Sequence, residues 1–194
     1  FTAKKITWDK ENYKENKHFK LFLKDHFKSE TLQISRQDCF NSNNNFYELL
    51  FKTILWGYPQ GMRGNSFQTI LTNLQTIKKN FETHTKGKNS ILFHDFENLE
   101  KSLRKTGIGL STLTKLLYFI DIYIDNFKAV IFDSRIIEVL QNSKFEELKH
   151  LADSKKNTIS FYNFSVALTE LFNFDCKNEQ IEHFLFAFGL NLKD

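Results

Sequence analysis

The chain has 194 residues, 41% of them hydrophobic, a composition that fits one compact domain or two small helical lobes sharing a core. A single Pro and seven Gly leave few helix breakers, so an all-α fold is predicted. No apolar run approaches the roughly 18 residues of a membrane span. Cys39 and Cys176 show neither metal-site spacing nor a disulfide framework, which suits a reducing cytoplasm. Because the chain begins with Phe, a missing start or an expression scar is expected, and no targeting signal can be judged.

The net charge of +4 is unevenly distributed. Residues 1–115 hold 19 Lys and Arg against 11 Asp and Glu, whereas residues 116–194 hold 8 against 12. This polarity indicates a face that binds a polyanion. An ordinary solvated, Lys-rich surface explains the charge equally well.

The N-terminal third predicts helices separated by polar loops. Lys-rich residues 1–30 contain an amphipathic helix around Phe19–Phe27 that packs onto the domain with a basic outer face. Residues 38–45 are polar and predict a loop. A helix from Phe46 ends at a loop over residues 56–64, which holds the only Pro and three Gly, and helical spacing resumes over residues 67–81.

A glycine hairpin lies at the centre of the chain. Residues 82–98 predict a basic loop that leads into a helix through Leu99 and Leu103. Gly107 and Gly109 then flank one apolar residue before a helix over residues 110–120. Such a turn leaves backbone amides open to a phosphate at the helix N-terminus.

One acidic residue follows this helix after a strand-like apolar run, Ala129–Phe132. Asp133 is far enough along the chain for the run to return beside the helix, so Ser111, Lys115 and Asp133 are expected to converge near the turn. Asp133 is also a favoured N-cap for the next helix. The two roles are compatible because a cap fixes the direction of the carboxylate. After Leu140 the apolar spacing predicts plain core helices, with faces over residues 161–172 and 181–188.

The pattern Leu-x-x-x-Gly-Ile-Gly-x-Ser-Thr, followed by an apolar helix and apolar-Asp-x-Arg, resembles the helix-hairpin-helix DNA glycosylases. Within that superfamily it looks most like the small 8-oxoguanine-glycosylase-like bacterial proteins. The resemblance implies one all-α domain over residues 1–194, with two helical lobes and the active-site cleft between them. Its parts are a hairpin and catalytic segment (99–140), a wedge-loop segment (46–82) and C-terminal helices (144–190).

The resemblance implies that Asp133 stabilises positive charge on the sugar or positions a water for attack. Lyase members of the family carry a Lys two residues after the second hairpin glycine, where this chain has Ser111, so a monofunctional enzyme is expected. Lys115, one turn further on, is expected to contact the base and, as a second option, to act as an amine nucleophile. Its alternative is a solvated lysine.

The resemblance also implies which residues touch DNA. Phosphate binding is expected from the hairpin and from basic residues nearby, with a monovalent cation shared by the turn carbonyls as an option and no other cofactor or metal. The expected phosphate contacts are Gly107, Gly109, Ser111, Thr112, Arg135, Arg104 and Lys105. The alternative for Arg135 is a surface salt bridge, and that for Arg104 and Lys105 is solvation.

Two further sets of predicted site residues follow from the resemblance. The loop residues Tyr58, Gln60, Met62 and Arg63 are expected to fill the gap left by an extruded base, unless the loop is packed with Tyr58 and Met62 buried. The other set, Gln180 and Phe184, lies four apart on the last helix and is expected to contact the base, against a purely structural role in the core.

The expected function is that of a cytoplasmic, nucleoid-associated bacterial DNA glycosylase that acts as a monomer. Its partner is double-stranded DNA with a modified base, and it flips that base out and hydrolyses its N-glycosidic bond. Repair of oxidised guanine and defence against viral DNA with hypermodified, for example glucosylated, cytosines both fit. The alternatives are a non-catalytic helix-hairpin-helix DNA-binding module and a helical protein-interaction domain.

Overall fold

The computed structural model describes residues 1–142, 144–171 and 177–190. Within these ranges the chain is helical, with a few strands of two or three residues. The helices are α1 (Lys5–Trp8), α2 (Glu11–Lys14), α3 (Lys17–His26), α4 (Arg36–Phe40), α5 (Phe46–Gly57), α6 (Ser66–Thr72), α7 (Leu74–Thr85), α8 (Phe93–Arg104), α9 (Leu110–Phe119), α10 (Ser134–Gln141), a 3-10 helix (Glu146–Leu151), α11 (Thr158–Leu171) and α12 (Asn178–Phe188). The strands are β1 (Thr2–Lys4), β2 (Thr31–Gln33), β3 (Ser90–Ile91), β4 (Tyr123–Ile124) and β5 (Phe127–Lys128).

The short strands only connect helices, so the prediction of an all-α fold is confirmed. β1 pairs antiparallel with β2, with Thr2 opposite Gln33. In the second sheet β4 lies between β3, which is parallel to it, and β5, which is antiparallel. The division into two lobes with a cleft stays a prediction. In the part of the chain that the structure describes, no helix has the length and apolar character needed to cross a membrane.

Helix α9 lies at the centre of the fold, and all ten of its residues are buried. It packs against α5, in which seven of the twelve residues are buried. Because α9 is enclosed on every side, its polar side chains must find partners inside the protein. The candidate site is built from those partners.

The N-terminal segment packs onto the domain as the sequence predicts. Helix α3 buries Phe19, Phe22 and Leu23, while its lysines point outward. Asn16 caps α3 through its side-chain oxygen, which accepts from the amides of His18 and Phe19. The Nδ2 of the same residue donates to the carbonyl of Leu71 at 3.0 Å and fixes the segment to α6.

Three sequence-based predictions of local structure were wrong. The predicted loop 38–45 starts inside α4, which the Ser35–Asp38 capping box begins. The predicted loop 82–98 is much shorter, because α7 continues to Thr85 and α8 begins at Phe93. Residues 129–132 form no strand, and they run as buried backbone without regular secondary structure into α10. The side chain of Leu171, together with Phe172 and Cys176, lies outside the described residues.

Candidate active site

The two hairpin glycines serve different structural purposes. Gly107 has φ +95°, and a Cβ at this position would come within 3.0 Å of the Ser66 carbonyl oxygen and of Ile70 Cγ1. Only glycine avoids both the strained φ and this clash. Gly109 begins α9 as an N-cap without a capping side chain, and a Cβ there would meet no described atom within 4 Å. The space beside Gly109, at the start of α9, is therefore open, and a phosphate oxygen has room to approach there.

Lys115 and Asp133 form a mostly buried ion pair one turn into α9. The Nζ of Lys115 lies 2.9 Å from Oδ2 of Asp133, and the two side chains are 3% and 14% exposed. The same Nζ lies 3.3 Å from the hydroxyl of Ser111. The expected convergence of Ser111, Lys115 and Asp133 is therefore present, while their chemical roles stay predictions.

Asp133 is directed at Lys115 by two local constraints. The amide of Phe132 donates to Thr114 Oγ1 on α9 at 3.2 Å, which fixes the preceding residues against the helix. The other carboxylate oxygen of Asp133 accepts from the amides of Arg135 and Ile136 at 3.1 and 3.3 Å. Asp133 is thus the N-cap of α10, as one sequence interpretation has it, and a partner of Lys115 at the same time.

These contacts set the protonation state of Asp133. Burial raises the pKa of its carboxyl, but the Lys115 ammonium and the two cap amides outweigh burial and hold the pKa below its ordinary value. The site therefore contains a carboxylate that is fixed in direction and stays ionised at neutral pH.

The C-terminal end of α5 closes the site around Lys115. A Cβ on Gly57 would lie 3.3 Å from Cε and 3.4 Å from Cδ of Lys115, so glycine leaves room for that side chain. The Tyr58 ring centre lies 6.0 Å from Lys115 Nζ, and its hydroxyl lies 3.2 Å from Thr112 Oγ1. Tyr58 thus forms part of the wall of the site.

A second buried ion pair lies near the first, and the sequence analysis missed it. The Nη1 and Nη2 atoms of Arg36 donate to the two carboxylate oxygens of Glu182 at 2.9 and 3.2 Å. Glu182 is 0% exposed and Arg36 is 16% exposed. Burial raises the pKa of the Glu182 carboxyl, and the Arg36 guanidinium opposes that rise. The Asp133 carboxylate raises the Glu182 pKa further and the Lys115 ammonium lowers it, so the two pairs interact electrostatically.

Phe186 forms an aromatic platform between these groups. Its ring stacks on Trp56 with centroids 6.4 Å apart, and the guanidinium carbons of Arg36 and Arg135 lie 5.7 and 5.2 Å from its centre. The spacing of Glu182 and Phe186, four residues apart on one helix, was the only available sequence signal for this surface. Arg36, in a short helix far from the other residues, gave none.

Several predicted site residues have different surroundings. Gln180 accepts from the Lys177 amide at the start of α12, and Phe184 is 45% exposed and packs against Phe145 and Phe188. The side of α12 that contacts Arg36 and Arg135 carries Glu182 and Phe186, and contact of Gln180 and Phe184 with the base stays a prediction.

Two of the expected phosphate contacts are already engaged in the protein. Arg135 donates from Nε to the carbonyl of Phe186 at 2.5 Å and lies over that ring, in place of the alternative surface salt bridge. Thr112 is buried, its amide donates to the Gly109 carbonyl, and its hydroxyl contacts Tyr58. Neither side chain points freely into solvent.

The remaining predicted contacts are on the surface. Arg104 and Lys105 are exposed beside the hairpin, and Arg104 Nη2 lies 2.7 Å from the buried carboxylate of Glu100. In the loop after α5, Gln60 and Arg63 are exposed, whereas Tyr58 and Met62 are half-buried and pack on the core.

The cation option at the hairpin stays a prediction. The carbonyl of Leu103 already accepts from the amide and hydroxyl of Thr106 and from the amide of Ile108. A monovalent cation would therefore rely on other carbonyls of the turn.

Cys39 is a free thiol whose burial raises its pKa to about 12. Among the described residues, no group of His, Cys, Asp and Glu is arranged to hold a metal ion.

A glycine hairpin between two helices, followed by a fixed carboxylate beside a buried lysine, defines a candidate nucleic-acid enzyme site. A family model described as "Putative 8-oxoguanine DNA glycosylase OGG-like protein" matches residues 1–186. The chain belongs to this family, which confirms the resemblance predicted from residues 99–140. A search of curated proteins found no match, and neither did a search of solved structures.

Proposed function

We propose that this protein is a DNA glycosylase that flips a modified base out of duplex DNA and hydrolyses its N-glycosidic bond. The observation that carries the proposal is the ionised Asp133 beside Lys115, 2.9 Å away, on the helix that the glycine hairpin begins. The family supports DNA as the partner and glycosylase chemistry as the class of reaction.

Asp133 is proposed to stabilise the positive charge that develops on the sugar. Water adds its oxygen at the anomeric carbon, and the bond to the base breaks with its electron pair leaving on the base. Because Lys115 and the cap amides keep the Asp133 pKa low, the carboxylate suits a fixed negative charge better than a strong base. It also orients the attacking water and accepts its proton as the sugar hydroxyl forms.

Lys115 is proposed to hold Asp133 in place and to contact the extruded base. A second candidate role is that of an amine nucleophile, which would give lyase activity. Lys115 must first lose a proton, and the adjacent Asp133 carboxylate, 2.9 Å away, can relay that proton to the departing base. The amine would then form a C–N bond at the anomeric carbon as the base leaves with its electron pair.

DNA binding is proposed to combine three parts of the surface. The open space beside Gly109, at the N-terminus of α9, takes a backbone phosphate, assisted by a monovalent cation where one binds the turn. The exposed side chains of Arg104 and Lys105 contact flanking phosphates. Gln60 and Arg63, the exposed members of the predicted wedge, enter the duplex where the base has left, which recovers part of the stacking energy lost on flipping.

The substrate is proposed to be either oxidised guanine in a repair pathway or a hypermodified cytosine in viral DNA. The Phe186 ring, which stacks on Trp56, suits a flat base. The enzyme is proposed to act as a monomer on double-stranded DNA. Its class-level alternative is a binding module that grips phosphate through the hairpin and catalyses nothing.

The proposed function is tested by incubating the protein with duplexes that carry one modified base each. Oxidised guanine and glucosylated hydroxymethylcytosine are included, and an unmodified duplex is the control. Alkali cleaves any abasic site, so strand breaks that appear only after alkali support the monofunctional proposal. Strand breaks without alkali, together with borohydride trapping of a protein–DNA adduct that Lys115→Gln abolishes, support the lyase role. DNA binding without release of any base favours the binding module.

A further inference from the structure

The Arg36–Glu182 pair has no part in the proposed reaction, yet it places two charges in the interior. Buried ion pairs gain little stability over apolar residues of the same size, because both charges lose their water. Arg36 is enclosed further by the rings of Trp56 and Tyr118, each 5.5 Å from its guanidinium carbon. A pair of this kind is best explained by the structural elements that it holds in position.

Two contacts connect this pair to the Lys115–Asp133 centre. On α9, Tyr118 lies one turn beyond Lys115, and its hydroxyl lies 3.3 Å from Arg36 Nη1. On α12, Phe186 lies one turn beyond Glu182, and its carbonyl accepts from Arg135. The second contact reaches Asp133 through Arg135, whose amide donates to the Asp133 carboxylate.

We propose that Arg36 and Glu182 are positioning residues for the Lys115–Asp133 centre. The pair holds α12 and Phe186 against α9 and the start of α10, and it places the charge of Arg36 where it favours the ionised form of Asp133. This inference rests on the proposed function for its effect on catalysis. Its electrostatic part concerns the protein alone.

The charge of Arg36 has a consequence with a definite sign. The charged and titratable groups around Asp133 include Lys115 and Tyr118 of α9, Arg36 of α4, Glu182 of α12, Arg135 of its own helix and Tyr58 after α5. Glu182, whose pKa is raised, is already neutral at the pH where Asp133 titrates. Loss of the Arg36 charge therefore raises the pKa of Asp133, whereas loss of the Glu182 carboxyl leaves that pKa unchanged. A pair that only supports the fold has no reason to give different responses in the two variants.

The test is an NMR titration of the Asp133 side-chain carboxyl carbon in the protein without DNA. The variants are Arg36→Gln, Glu182→Gln, the double variant, and Arg36→Lys, which keeps the charge. We expect the Asp133 pKa to rise in Arg36→Gln and in the double variant, and to keep its wild-type value in Glu182→Gln and in Arg36→Lys. An equal rise in both single variants, or no rise in Arg36→Gln, overturns the proposal. If a single variant fails to fold, the base-release rates of Arg36→Lys and of the double variant still test the positioning role.

The positioning part is measured by single-turnover base release on the duplex that the wild type processes. Arg36→Lys keeps the charge but loses the two-pronged contact, so its release rate should fall about 10- to 100-fold with DNA affinity unchanged. A wild-type rate in Arg36→Lys and in the double variant overturns the positioning role. A wild type that releases no base defeats the proposed function and leaves the titration result intact, so the two failures are distinguishable.

Discussion

Lys115 Nζ lies 2.9 Å from Asp133 Oδ2, and this contact joins the centre of the protein to the start of α10. It forms because Thr114, the neighbour of Lys115, accepts the Phe132 amide and fixes the chain just before Asp133. One turn of α9 therefore determines both the position of the lysine and the direction of the acid. Stability and activity should respond together when this contact is changed.

The first prediction concerns stability. Lys115→Met should lower the free energy of unfolding by about 3–5 kcal/mol, because it leaves the Asp133 carboxylate without its partner in a mostly buried site. The double variant Lys115→Met/Asp133→Asn should lose less than Lys115→Met alone, since the unpaired charge is gone and Asn still caps α10. Urea denaturation measures both. Additive losses in the double variant would show that the two side chains do not interact.

The second prediction separates the two hairpin glycines. Gly107→Ala should destabilise the protein by at least about 1–2 kcal/mol, because alanine must adopt a positive φ and also meets the Ser66 carbonyl. Gly109→Ala should cost under about 1 kcal/mol, since its φ is −85° and its surroundings are open. The second variant should nevertheless bind DNA more weakly, because the added methyl group occupies the approach of the phosphate. Thermal unfolding and DNA titration provide the two readouts, and unchanged DNA affinity in Gly109→Ala would argue against phosphate binding at this turn.

The third prediction concerns Gly57, the last residue of α5. Alanine normally stabilises a helix by about 1 kcal/mol relative to glycine. At this position its methyl group would press on Cε and Cδ of Lys115, which the Asp133 contact holds in place. Gly57→Ala should therefore gain less stability than that figure and release base more slowly, and Gly57→Val should be worse in both respects. A fully stabilised Gly57→Ala with wild-type activity would mean that Lys115 can shift without consequence.

The fourth prediction is a pH dependence. The folded protein holds the Asp133 pKa below its ordinary value of 3.8, so the ionised carboxylate stabilises the fold. This contribution is complete above the unfolded value and is lost as the pH falls through the folded one. The difference in unfolding free energy between the wild type and Asp133→Asn should thus be constant near about pH 6 and shrink toward about pH 3. A difference that grows as the pH falls would reverse the assigned direction.

Local signals in the sequence predicted the centre of the molecule well. Gly107 must be glycine because of its backbone angle, and a stretch of apolar residues at helical spacing follows it, so α9 could be placed from the sequence. The capping role of Asp133 is equally local. These features depend on residues a few positions apart, where spacing and side-chain chemistry determine the backbone.

Contacts between residues far apart in the sequence could not be predicted in the same way. Arg36 and Glu182 meet across most of the chain, and no periodicity connects them. On α12, Gln180 with Phe184 and Glu182 with Phe186 have the same spacing of four. A shift of two positions turns the helix by roughly 200° and moves the face from one side to the other. Only the packing of α12 on α10 decides which face lies inside.

The central claim is tested most directly by Asp133→Asn, measured on the duplex from which the wild type releases a base. Asparagine keeps the cap on α10 and removes the charge, so DNA affinity should stay at the wild-type value while single-turnover base release falls about 10²- to 10³-fold. The exposed Asp153→Asn is the matched control and should release base at the wild-type rate. Wild-type base release by Asp133→Asn, with the fold and DNA affinity intact, would contradict the assignment of Asp133 as the catalytic carboxylate.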